Sequence, residues 1–146
     1  MSRTIYVLNG PNLNLLGLRE PHLYGSTTLA EVEELCRRVS RELDLQCDFR
    51  QTNHEGVLVD WVQEAREQAA GIAINPAGLS FRSSPLLDAL KTVDKPIAEV
   101  HVTNIHRRDP LYQNSLVSLA ATGVICGFGP FGYELAIRAL AHRIAN

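Results

Sequence analysis

Five short strand-like runs, each parted from the next by longer sequence, constrain the fold of this chain more than any other feature. The runs are Thr4 to Leu8, Leu45 to Thr52, Gly71 to Asn75, Ile97 to Val102 and Gly123 to Cys126. Between them lie segments with helical spacing. Leu29, Val32, Leu35, Cys36, Val39 and Leu43 recur at three- and four-residue intervals, and Thr28 with Glu31 forms a capping box at their start. Glu55 to Ala69 repeats the pattern with Leu58, Trp61, Val62, Ala65 and Ala69. Ser84-Pro85 reads as a cap followed by proline at the first helical position, opening a helix to Val93. Pro130 to Arg143 closes the chain as a helix that continues its apolar face to Ile144. Strands alternating with helices predict a parallel sheet covered on both faces. The nearly continuous apolar runs around Ile72 and Val124 are what a doubly covered strand requires. No linker or repeat interrupts the 146 residues, so residues 1–146 read as a single doubly wound α/β domain.

Composition excludes several partners. A formal charge of −2, with no basic block or interleaved aromatic stripe, argues against nucleic acid. No apolar span is long enough for a membrane and no signal peptide is evident, which predicts a cytoplasmic protein. Cys36, Cys47 and Cys126 have no CxxC spacing and are odd in number. Reduced core residues are the expectation, rather than disulfides or metal ligands.

In such a sheet, ligands bind at the carboxyl ends of the strands. The first end is unusually long: residues 9 to 25 carry Asn12, Asn14, Arg19 and Tyr24 before the capping box, and long ordered connections tend to be functional. The second is Asn75-Pro76-Ala77-Gly78-Leu79-Ser80. The third, Glu99 to Arg108, sets Glu99 and His101 two apart on a strand, so they share a face. A carboxylate beside an imidazole can fix its tautomer and make it a positioned acid. The backbone N–H groups after His101, with Thr103, could grip a small anion. The fourth end, Gly127 to Gly132, matches GxGxxG. It lacks the following strand and the acidic residue that a dinucleotide site needs, so a tight strand-to-helix turn is the better reading. Tyr24 has the ordinary phenol pKa of about 10 to overcome before it can act as a base, and a guanidinium such as Arg19 or Arg108 favours the phenolate.

Taken in order, Asn9-Gly10-Pro11-Asn12-Leu13-Asn14, Arg19-Glu20-Pro21, Tyr24-Gly25, Asn53-His54-Glu55-Gly56, Ile74-Asn75-Pro76, Glu99-Val100-His101, Asn104-Ile105-His106 and Gly127 to Gly132 closely resemble the type II 3-dehydroquinate dehydratases across essentially the whole chain. The resemblance implies a flavodoxin-like fold, a dodecamer built from trimers, and no metal or organic cofactor. It implies an anti elimination of water from a small β-hydroxy ketone carboxylate, in the shikimate pathway or in quinate catabolism. Tyr24 would be the base, held as phenolate by Arg19 with Arg108 nearby. Asn12 would act through a water on the enolate oxygen. His101, oriented by Glu99, would protonate the departing hydroxyl. Asn75, Thr103 and the backbone at Val102 would bind the carboxylate, and Asp88 would reach across from a neighbouring subunit.

Two positions depart from the family pattern. Phe81 stands where the family usually has a histidine, and Tyr112 where it usually has an arginine; both bind the substrate's ring hydroxyls there. A site built to bond a hydroxyl loses strongly when its partner goes. The alternative expectation is therefore the same chemistry on a different cyclic hydroxy-ketone acid. A nucleotide-binding module using Gly127 to Gly132 is a third, non-enzymatic possibility.

Overall fold

A computed structural model of the chain describes residues 2–18 and 20–145, with side chains throughout except those of Leu23 and Tyr24. Five strands, β1 (Thr4–Asn9), β2 (Gln46–Gln51), β3 (Gly71–Asn75), β4 (Ile97–His101) and β5 (Gly123–Cys126), pair in parallel in the order β2-β1-β3-β4-β5. This is the flavodoxin-like order. Successive connections run one way from β1 to β2 and the other way from β3 onward, so a crevice opens between the ends of β1 and β3.

The helices are a single turn α1 (Pro21–Tyr24), then α2 (Leu29–Glu42), α3 (Glu55–Gln68), α4 (Ser84–Lys91) and α5 (Phe131–Ala145). Strand alternation sorts the side chains between two cores. Ile5, Val7, Ala73, Ala98 and Val100 pack with Val32, Cys36 and Val39 of α2 and Ala136, Ile137 and Leu140 of α5. Tyr6, Leu8, Ile72, Ile74 and Ile97 pack on the other face with Leu58 and Val62 of α3 and Leu86 and Leu90 of α4. Each fully buried aliphatic side chain contributes about 1.5–3 kcal/mol by leaving water.

Helix boundaries follow local chemistry. Thr28 caps α2 and Glu31 returns the bond, as the capping box predicts. At α4 the cap is Ser83 rather than Ser84: its hydroxyl accepts from the Leu86 N–H at 3.1 Å, and Ser84 is already the first helical residue. Ser83 also donates to Glu55 at 2.6 Å, a tertiary bond that selects it over its neighbour. The first loop is less irregular than its sequence suggests, since it holds the 3-10 turn Leu13–Leu15 and the helical turn α1. The cysteines are free, but only Cys36 is fully buried; Cys47 and Cys126 are half-buried. Burial pushes the Cys36 thiol up, and lifts Cys47 to about 11, so neither is a ready nucleophile. No helix among the described residues is long and apolar enough to cross a membrane.

Two loop contacts shape the crevice. The Gly10 N–H donates to the Asn75 carbonyl at 2.9 Å, which draws the loop after β1 onto the loop after β3. A Cβ at Gly10 would come within 2.4 Å of the Pro76 carbonyl oxygen, so only glycine fits. At the far side, Gly127 (φ 95°) and Gly129 (φ 64°) donate their N–H groups to the carbonyls of His101 and Val102. These amides close a backbone turn, so they do not face a phosphate, and the glycine-rich stretch is structural as expected.

Gly10→Ala forces the two loops apart. The expected outcome is a loss of about 1–3 kcal/mol of stability, read by urea unfolding. A variant as stable as the wild type would mean that the loops are not locked together.

Candidate active site

The site grows from β4. Glu99 and His101 have the parity of Ile97, so both project to the α3–α4 face, and both are buried. His101 Nε2 lies 2.5 Å from Glu99 Oε2. The carboxylate therefore fixes the ring by its Nε2 edge, and Nδ1 is the nitrogen not engaged with Glu99.

Two further groups hold the carboxylate. The Ser115 hydroxyl donates to Oε2 and the Ser118 hydroxyl to Oε1, each at 2.6 Å. Both serines flank or occupy the 3-10 turn Leu116–Leu119, which Val117 anchors in the core. Burial pushes the Glu99 carboxyl up, but the bonds from His101, Ser115 and Ser118 outweigh it and hold the group below the usual carboxylate range. Sequence reasoning missed both serines. They lie 16 and 19 residues from Glu99 in an irregular stretch, and no motif links them.

A second buried bond network supports the crevice from the opposite face. Asn9 and Asn75 are register partners at the ends of β1 and β3. The Tyr133 hydroxyl of α5 donates to Asn9 Oδ1 at 2.7 Å and accepts from Asn75 Nδ2 at 2.9 Å. Burial pushes the Tyr133 phenol far up, so it remains a neutral donor. Asn75 Oδ1 accepts from the Ala77 N–H, which leaves the amide's second hydrogen as its contribution to the pocket. Tyr133 did not stand out in the sequence, and Asn9 did so only as the first residue of the strand-end motif.

Between these networks is a cavity of about 240 Å³, small enough to suit a compact metabolite. Asn12, Asn75, Phe81, His101, Val102, Thr103, Arg108 and Tyr112 all line it. Asn12 sits in the left-handed region (φ 71°) with its N–H held by Asn53 Oδ1 at 2.9 Å. Asparagine tolerates that conformation better than most residues. Gln51 Nε2 bonds both Asn53 Oδ1 and the Gly10 carbonyl, so the end of β2 also braces this loop. The larger hollow along α2, lined by Glu31, Glu34 and Arg37, carries none of this strand-end chemistry.

Two further predicted site residues, Glu99 and Asp88, lie off this wall. Glu99 stands behind His101 rather than on the cavity wall. Asp88 is exposed on α4 and is not part of this chain's pocket. Arg19 and the side chain of Tyr24 lie outside the described residues. Gly25, the residue after Tyr24, shares a surface hollow with Val102, Thr103, Asn104 and Arg108, so the first loop returns beside the end of β4.

Phe81 and Tyr112, the two departures, are neighbours. Their ring centroids are 5.5 Å apart, nearly perpendicular at 82°. Phe81 also stacks on the His101 imidazole at 6.1 Å and 29°. The Arg108 guanidinium lies over the Tyr112 ring, 4.3 Å from its centroid.

Residues 3–141 match the protein family described as dehydroquinase class II. The chain is 52% identical over 140 residues to 3-dehydroquinate dehydratase 1 of Agrobacterium fabrum, covering 96% of this chain and 97% of that protein. It is 52% identical over 143 residues to the 3-dehydroquinate dehydratase of Mesorhizobium japonicum, covering 97% and 99%. Its fold superposes on a type II dehydroquinase from Propionibacterium acnes with a TM-score of 0.93 and 42% identity, covering 97% of this chain and 98% of that one.

Ser118→Ala leaves a buried carboxylate oxygen without a donor, at a cost of about 1–3 kcal/mol in urea unfolding at neutral pH. The folded-state pKa of Glu99 lies below its unfolded value, about 4.3. The serine's contribution is therefore fully present above that pH and fades as pH falls through the folded value. The stability gap between wild type and variant closes in acid; a gap constant across the whole range would contradict an ionised Glu99.

Proposed function

Because the chain belongs to the dehydroquinase class II family, we propose that it is a hydro-lyase that converts 3-dehydroquinate to 3-dehydroshikimate by anti elimination of water. The observation that carries this reading beyond likeness is the buried Glu99–His101 pair at a strand end, facing a small pocket beside an arginine. A positioned imidazole and an anion-accepting wall are what this elimination needs.

The Tyr24 phenolate takes the proton α to the ketone, and the C–H electron pair becomes an enolate. Arg19, with Arg108, favours the phenolate over the phenol. Asn12, through a water, stabilises the enolate oxygen. The enolate then collapses to the conjugated enone as the β C–O bond breaks. His101 gives the departing oxygen a proton, and water leaves. After that transfer the ring is neutral, with its remaining proton directed at Glu99. Asn75, Thr103 and the backbone at Val102 hold the substrate carboxylate, which fixes the ring relative to base and acid. No step calls for a metal or an organic cofactor.

Residues 1–146 act as a single domain in this reading, which the one continuous sheet supports. The enzyme works in the cytoplasm, in the shikimate route to aromatic compounds or in the breakdown of quinate. It assembles as a dodecamer of trimers, with Asp88 of one subunit reaching the site of another. The exposed position of Asp88 on α4 is compatible with that reach. The alternative of a different cyclic hydroxy-ketone acid draws no support from the relatives, which are named for dehydroquinate at 52% identity.

Purified protein with 3-dehydroquinate is expected to give a rising ultraviolet absorbance from the conjugated enone. No signal at high substrate would refute the assignment. Tyr24→Phe removes only the phenol oxygen, so turnover is expected to fall by at least about 100-fold, the usual share of a general base, with the thermal midpoint unchanged. Retained turnover would remove Tyr24 from the base role.

A further inference from the structure

His101, Phe81, Tyr112 and Arg108 form one unbroken series of ring contacts along the pocket wall. The bond to Glu99 fixes one edge of the His101 imidazole, but a single hydrogen bond leaves the ring free to tilt about that bond. The Phe81 ring lies against the imidazole face, its centroid 6.1 Å away and its plane at 29°, where it can limit that tilt. Phe81 is held in turn by the edge contact with Tyr112, and Tyr112 presents its face to Arg108. Phe81 ends the turn Ala77–Phe81 after β3, and Tyr112 ends the turn Pro110–Tyr112 after β4. The two aromatic residues thus tie the loops of adjacent strands across the site.

We propose that Phe81 and Tyr112 act as one coupled pair of positioning residues, an aromatic bracket that sets the plane of the acid His101 at one end and the guanidinium of Arg108 at the other. The proposal rests on the dehydratase reading. Two residues that depart from the family pattern are then a single change. Each ring is held by the other: without Tyr112 the Phe81 ring loses its edge contact, and without Phe81 the Tyr112 ring keeps only the guanidinium over its face.

The test is a double-mutant cycle with Phe81→Leu, Tyr112→Leu and the pair, with Tyr112→Phe as the conservative variant. Readouts are kcat, KM, the pH profile of kcat, and the imidazole NMR signals of His101 in the substrate-free protein. Phe81→Leu is expected to lower kcat about 10-fold, the scale of removing one aromatic interaction from the transition state, and to shift the His101 signals. KM should move much less. Tyr112→Phe, which keeps the ring, should stay close to wild type in kcat and in the His101 signals. The double variant should be no worse than the poorer single, because the second substitution acts on a bracket already broken. Multiplying effects, or a Phe81→Leu protein in which KM alone changes while kcat and the His101 signals stay as in wild type, would overturn the proposal. Phe81→Met, which keeps most of the volume, replaces Phe81→Leu if that variant unfolds. A wild type without dehydratase activity would refute the function, while the His101 signals would still test the bracket.

Discussion

A buried carboxylate without full solvation by protein donors is among the most costly groups a fold can carry, and the architecture around Glu99 follows from that constraint. Glu99 is placed by the parity of β4 on a face where its neighbours are apolar. It is kept ionised by three donors brought from two places, His101 on the same strand and Ser115 and Ser118 from the segment that leads to β5. The segment between β4 and β5 is therefore more than a connection. It carries Arg108 and Tyr112 on the pocket wall and the two serines behind it. One stretch of chain thus bears both the Arg108 guanidinium on the pocket wall and the serines that hold Glu99, directly after the strand that carries His101.

The second support is the Tyr133 hydroxyl, which joins Asn9 to Asn75 at the point where the strand order reverses. Gly10 completes it by letting two loops meet at a distance no side chain would permit. The crevice is thus held from both faces of the sheet: by Glu99 and the serines on the α3–α4 face, and by Tyr133 on the α2–α5 face. The described part of the pocket wall is thereby pre-organised, the condition under which oriented polar groups act most strongly.

Much of this was legible in the sequence. Gly71–Asn75 and Gly123–Cys126 match the predicted strands end to end, because both are short runs bounded by strong turn signals. Only the first is buried on both faces as predicted: β5 is an edge strand with Val124 exposed. The Glu99–His101 pair could be read from spacing alone. The helical turn Pro21–Tyr24 could not, since four residues are too few for periodicity to register. The pattern Ser84-Pro85 points to Ser84 as the cap of α4, but Ser83 caps it and is also tied to Glu55 by a tertiary bond that no local pattern contains. Ser115, Ser118 and Tyr133 were invisible for the same reason: each owes its role to a partner at least 16 residues away. Phe81 and Tyr112 could be recognised as departures from a family pattern, but their contact with each other is a property of the fold.

The central claim is that base and acid act from opposite faces of the substrate through an enolate. It is tested most directly with 3-dehydroquinate carrying deuterium in one of the two positions α to the ketone. The account predicts that deuterium trans to the departing hydroxyl is lost to solvent and deuterium cis to it is retained in the product. Loss of the cis label with retention of the trans label would contradict it.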